Sequence, residues 1–262
     1  MKTVSVVIAA YRAQDFLGDA VDSVFAQSLP KGWRLELIVG IDGCPQTWEA
    51  ATRLRPGNGK VIRMRERYGP YVTFNTLAGY AVGDVIARFD ADDIMLDGYL
   101  RQQLWILEHN PAVHLTRTWS LYTNMDLSPH SARVSNGSPL PDGRRQAGCD
   151  GALVFRRSVW EMLGGFRPWR CFADTDFIIR AFYLGFHLFE IEDYLFVRRF
   201  HPDSLTQSSA TREHSRIRDK YQRIMDKEKW NYLTPSRCHL PAVTGTVAQV
   251  ASLGVNKKYQ PV

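Results

Sequence analysis

The chain has 262 residues, 45% of them apolar and 12% aromatic, which supports a packed core and excludes a disordered chain. Its formal charge of +6 belongs to the tail: ten Lys/Arg face four Asp/Glu from Thr211 to Val262, and the first 210 residues balance at 23 of each sign. That balance excludes a nucleic-acid-binding body, and the four dispersed cysteines (Cys44, Cys149, Cys171, Cys238) fit no paired metal spacing and read as reduced thiols. No apolar run nears the ~20 residues of a membrane span. The apolar stretch after Met1 is broken by Tyr11-Arg12 before a signal sequence is complete. A cytoplasmic location is the expectation.

In chain order, "TVSVVIAAY" predicts a buried parallel strand, and Phe16, Leu17, Ala20, Val21, Val24 and Phe25 form a helical stripe. "LELIVGID" predicts a second strand ending in an Asp42-Gly43 turn, then a short helix over Pro45 to Leu54. "KVIRMRE" follows the turn "PGNG" as a third strand, Val72 to Val82 form a helix, and "DVIARF" is a fourth strand. Strands alternating with helices at this spacing imply an α/β fold with a doubly wound, mostly parallel sheet. Ligands bind such sheets beyond the carboxyl ends of the strands, where Tyr11, Asp42 and Asp90 converge.

The second half is less regular: a helix from Gly98 to Leu107, mixed strand and loop to Gly151, then strand, helix and a Gly-Gly stop in "GALVFRRSVWEMLGGF". "DTDFIIRAFYLG" predicts a helix, and "FHLFEIEDYLFVRRFH" alternates like strands. A basic helix over Ser208 to Trp230 carries Ile217, Tyr221, Ile224 and Met225 on one face. The sequence divides into a body over 1–206, split near residue 96 into a nucleotide half and an acceptor half, and a basic helical extension over 207–262.

The chemistry concentrates at "DVIARFDADDIML", where Asp90, Asp92 and Asp93 end an apolar strand. Two like charges about 4 Å apart repel by about 1 kcal/mol even in water. Hard oxygen ligands for Mg²⁺ or Mn²⁺, shared with a diphosphate, fit this position; the bland alternative is a solvated turn with capping aspartates. No G-x-G-x-x-G follows the first strand, and "GNGKV" lacks P-loop spacing, so dinucleotide and P-loop chemistry are excluded.

The stretches "VSVVIAAYRAQDFLGDAVDSVFAQ", "ELIVGIDG", "GDVIARFDADDIMLDGYLRQ", "GALVFRRSVWEMLGGFRP", "ADTDFIIRAFYLG" and "RRFHPDSLT" occur in the order found in inverting family 2 glycosyltransferases with the GT-A (Rossmann-like) fold, a mixed, mostly parallel sheet. The chain resembles that family from about Val4 to Thr206. The resemblance implies that Ala10, Tyr11 and Asp42 hold the nucleobase, that Asp90 and Ala91 serve the ribose or metal, and that Asp92 ligates the metal with Asp90 and His201 nearby. Asp174 falls at the family's catalytic base; Ala173 departs from the Glu usual before it, which keeps Asp176 as an alternative. Asn75 matches a phosphate-side Asn, but Phe74 replaces the Arg many relatives carry. Arg67 and Arg88 are therefore candidate phosphate cations, Arg88 alternatively pairing with a cluster acid. Trp169 and Arg170 are candidates for the acceptor side.

The resemblance thus implies a metal-dependent, non-processive inverting transferase. It would use Mn²⁺ or Mg²⁺ to move a sugar from a nucleotide donor, UDP-sugar first, to a saccharide or lipid-linked saccharide. No Q-x-x-R-W follows the candidate base, which argues against a processive synthase. The rival readings are a binding module that lost its base, motivated by Ala173, and a sugar-nucleotide nucleotidyltransferase, for which the Gly-rich loop is missing. Arg212, Arg216, Arg218, Lys220, Arg223, Lys227 and Lys229, with Trp230 and Tyr232, suit peripheral contact with an anionic membrane on its inner face. A helix packed on the domain is the competing reading.

Overall fold

The computed structural model describes residues 1–54, 59–133, 138–139, 145–146, 151–212, 214–228 and 242–253. Cys149, Cys238, Lys229, Trp230 and Tyr232 lie outside the described residues. The first half alternates as expected: β1 (Lys2–Ala10), α1 (Leu17–Phe25), β2 (Trp33–Ile41), α2 (Pro45–Thr52), β3 (Gly59–Met64), α3 (Pro70–Tyr80) and β4 (Val85–Asp90). Helix α3 starts two residues before its predicted position because Pro70 sits at its first position, where the missing N–H costs nothing. A short β5 (Ile94–Met95) then leads to α4 (Tyr99–His109), β6 (Val113–Thr123) and β7 (Pro129–Arg133). A minor hairpin, β8 (Ser138–Pro139) with β9 (Arg145–Gln146), precedes β10 (Leu153–Arg156), α5 (Arg157–Leu163), α6 (Ala173–Tyr183), β11 (His187–Arg199), α7 (Arg216–Glu228) and β12 (Val247–Leu253).

Ten strands make one sheet in the order β12-β3-β2-β1-β4-β10-β6-β11-β5, with β7 on β6. Strands β1, β2, β3, β4, β6 and β11 run one way, and β5, β7, β10 and β12 the other. The sheet is mixed, with a parallel core.

Helices cover both faces, which is why β1 is apolar almost throughout. Val4, Val6 and Ile8 pack with Leu17, Val21, Leu100 and Leu104 on the α1 and α4 side. Val7 points the other way, into Phe74, Leu77, Val159 and Phe177 of α3, α5 and α6. Each such side chain, fully buried, stabilises the fold by about 1.5–3 kcal/mol.

The tail departs from expectation in two places. Helix α7 begins at Arg216, eight residues after Ser208. His214 takes a left-handed φ of 60°, and Ser215 Oγ accepts from the Arg218 amide at 3.4 Å, so the helix starts on a serine cap. The segment before it folds into turns, with Thr211 Oγ1 donating to the Leu205 carbonyl at 2.6 Å, a local bond that competes with helix. Beyond the helix, β12 adds an antiparallel edge to β3, so the extension contributes a strand as well as a helix.

Candidate active site

The cleft lies at the carboxyl ends of β1, β2 and β4. The backbone joins the first two ends directly: the Asp42 amide donates to the Ala10 carbonyl at 2.9 Å. Asp42 is buried, and its two oxygens accept from the amides of Tyr68 (2.7 Å) and Gly69 (2.9 Å). Burial pushes its carboxyl up, and those amides pull it partly back. Gly43 makes this packing possible: at φ +66° its missing Cβ would lie 2.5 Å from the Arg67 amide nitrogen. Arg67 turns its guanidinium over the Tyr11 ring, 3.9 Å from the centroid, with Arg12 at 5.4 Å. Arg12 itself holds a left-handed φ of 53°, strain of the kind that clusters at functional sites.

At the end of β4 the acids separate by role. Asp92 Oδ2 meets His201 Nε2 at 2.8 Å, and His201 packs on Phe16 with ring centroids 4.7 Å apart. Asp93 is buried and accepts from the Arg199 amide at 3.1 Å. Burial, with Asp92 and Asp90 alongside, pushes its carboxyl well above the usual range. Asp90 is raised to about 6, chiefly by burial, with Arg88 opposing. Among the described residues no group of three or more His, Cys, Asp and Glu comes together as a metal cluster; Asp92 and His201 stand as a pair.

These ends enclose a cleft of about 780 Å³, within the range of small-molecule sites. Ala10, Tyr11, Asp42, Arg67, Arg88, Asp90, Ala91, Asp92, Arg170 and His201 all line it. Asn75 does not. Its side chain instead binds the Phe166 carbonyl (2.7 Å) and amide (2.8 Å), fastening α3 to the loop after α5. Arg88 makes the internal pair that its sequence position left open, to Asp90 Oδ1 at 2.9 Å.

On the acceptor side the two candidate bases differ. Asp176 is fully buried, 2.8 Å from Arg180 Nε and 3.2 Å from Arg167 Nε, while Arg180 also donates to the carbonyls of Leu163 and Gly165. Asp174 sits two residues earlier, in the same first turn of α6, with Oδ2 3.8 Å from Arg88 Nη1. Trp169 does not line the cleft: its ring stacks on Tyr221 of α7 at 4.3 Å and 1°. Arg167 also binds Glu228, and Met225 is buried beside Ile179. The apolar face of α7 is therefore spent on the domain.

Several lining residues were missed from sequence. Arg198 and Arg199 precede His201, and the turns over 204–211 close the rim. The paired arginines of "RRFH" were the available signal. Nothing in the local pattern distinguishes the turns over 208–211 from helix.

Residues 5–163 match the family described as "Glycosyl transferase family 2". The chain is a family 2 glycosyltransferase. This glycosyltransferase is 26% identical over 215 residues to the "Putative glycosyltransferase EpsE" of Bacillus subtilis, covering 79% of this chain and 77% of that protein. In fold it is similar to S. aureus TarS 1-349, with a TM-score of 0.68 at 16% identity, covering 90% of this chain and 70% of that one. The TarS 1-349 complex with UDP-GlcNAc gives 0.66 at 17%, covering 78% of this chain and 60% of that one. Against TarS without that truncation the chain spans 41% of the length. At these identities the TarS likeness carries the GT-A fold alone. Among the described residues no helix is long and apolar enough to cross a membrane.

Proposed function

We propose that this glycosyltransferase moves a sugar from a UDP-sugar to a hydroxyl of a saccharide or lipid-linked saccharide, with inversion, in the presence of Mn²⁺ or Mg²⁺. The observation that carries the proposal is the Asp92–His201 pair, held at 2.8 Å in the same cleft as Tyr11 and Asp42. One carboxylate oxygen and one imidazole nitrogen suit a divalent cation that draws its other ligands from substrate phosphates and water. Bound there, the cation would neutralise charge developing on the leaving diphosphate.

The chain's own residues supply the rest. Tyr11 and Asp42 flank the nucleobase, Arg67 is the cation on that side, and Asp90 serves the ribose. In the proposed single displacement the acceptor oxygen attacks the anomeric carbon from the face opposite UDP. The bond to the β-phosphate oxygen breaks with its electron pair leaving on UDP, and Asp174 takes the hydroxyl proton as attack proceeds. Asp174 is preferred to Asp176 because both oxygens of Asp176 are already held by arginines. Of the acceptor candidates, Arg170 lines the cleft and Trp169 does not. UDP as the nucleotide draws support from the TarS complexes with UDP-GlcNAc and with UDP. Membrane contact would draw on exposed α7 residues such as Arg216, Lys220, Arg223 and Lys227.

Calorimetric titration of UDP tests the site directly. Binding should weaken about tenfold or more when EDTA replaces Mn²⁺, and Asp92→Asn should remove that dependence, as loss of one metal ligand implies. Equal affinity in all four conditions would sink the metal assignment.

A further inference from the structure

Arg88 is a cleft-side cation to which the proposed mechanism gives no part. Arg88 is 4% exposed and rises from the middle of β4, its backbone paired with Val7 of β1 and Leu153 of β10. Its guanidinium reaches three segments at once. Nη2 donates to Asp90 Oδ1 at 2.9 Å, Nη1 donates to the Gly151 carbonyl, and Nη1 lies 3.8 Å from Asp174 Oδ2. The Phe74 ring sits 4.6 Å from the guanidinium carbon and the Tyr71 ring 5.8 Å from it, which fixes its plane.

Two properties make this more than packing. A buried ion pair adds little net stability compared with an apolar replacement, so stability alone does not account for this one. The two acids also come from opposite sides of the site: Asp90 ends the donor-side strand, while Asp174 opens α6 on the acceptor side. Hydrogen bonds to Asp90 and the Gly151 carbonyl hold the guanidinium plane, which fixes its charge 3.8 Å from Asp174 as a flexible ammonium would not. Little of its surface is left for a phosphate.

We propose that Arg88 is a positioning residue that ties Asp90 to Asp174 and so fixes the acceptor-side base relative to the bound donor. This rests on the reading of Asp174 as the base. Misplacement of a reacting group by about 1 Å costs on the order of 100-fold in rate, which sets the expected effect.

The test uses UDP release with water as acceptor, from whichever of UDP-glucose, UDP-galactose and UDP-N-acetylglucosamine the wild type hydrolyses fastest with Mn²⁺. Arg88→Met should lower kcat about 100-fold, while the calorimetric Kd for UDP with Mn²⁺ moves less than about threefold because no donor contact is lost. Arg88→Lys should recover about tenfold by restoring the charge. Added to Asp174→Asn, Arg88→Met should cost less than about threefold more, since both act through one group. A UDP affinity reduced about tenfold with kcat kept would make Arg88 a phosphate ligand and overturn the proposal. So would losses that multiply in the double variant. If the Met variant does not fold by circular dichroism, Arg88→Lys carries the same cycle. Asp174→Asn at wild-type rate sinks the base reading and this proposal together. An inactive Asp174→Asn beside a fully active Arg88→Met overturns only the role of Arg88.

Discussion

Replacing Gly151 by alanine should damage fold and activity together. Gly151 holds a φ of +101°, and a Cβ there would lie 2.3 Å from Asp90 Oδ2 and 3.4 Å from Arg88 Nη1. The backbone strain alone costs about 1–2 kcal/mol. Pushing Asp90 aside also disturbs the charged bond from Arg88 to Asp90, a class worth about 1.5–3 kcal/mol. Alanine restricts the unfolded chain and returns about 0.4–1 kcal/mol. The net loss is about 2–4 kcal/mol, which for a chain of this size lowers the melting midpoint by roughly 4–16 °C. Urea unfolding measures the first quantity and a thermal scan the second, both on ligand-free protein. A variant within about 0.5 kcal/mol of wild type, the range of an ordinary surface substitution, that also keeps its UDP release would refute the reasoning.

Other consequences follow from the same contacts. Asp176→Asn leaves Arg180, fully buried, short of its charge partner and should cost about 3–5 kcal/mol in urea unfolding; a loss below about 1 kcal/mol would contradict a structural role for Asp176. Tyr221→Ala removes the stack on Trp169 and should destabilise by at least about 0.5–1.5 kcal/mol, whereas an α7 free of the domain would show no change. Asp90, raised to about 6 by burial, favours its protonated form on folding. Its contribution is full below its unfolded value of 3.8 and fades as pH rises through about 6. Between pH 4 and 7.5, in EDTA, the stability difference should move toward Asp90→Asn by about 1–3 kcal/mol; a difference constant over that range would place Asp90 in an ordinary solvated setting.

The parallel half of the sheet was legible because β1 to β4 announce themselves as β-branched runs bounded by Gly, Pro and Asp. The cluster after β4 was legible for the same reason, as charge abutting a buried strand. What sequence did not show was which acid meets which partner. Asp93 ends up under the Arg199 amide, and Asn75 turns to the loop at Phe166, because those partners come from 106 and 91 residues away. Trp169 looked like an acceptor platform until the tail supplied Tyr221 to cover it. Strand β12 was missed because its alternation, "VAQVASL", is that of an edge strand within a segment read by its charge. Its partner β3 lies far back in the chain, and no local pattern announces such a pairing.

The central claim is that the acids after β4 serve a metal-assisted sugar transfer. Nucleotide release from a panel of UDP-, GDP- and dTDP-sugars, with Mn²⁺, Mg²⁺ or EDTA, tests it for wild type and Asp92→Ala. The account predicts release of UDP alone, dependent on the metal and lost in the variant. Release that ignores both metal and Asp92, or no release from any donor, would contradict it.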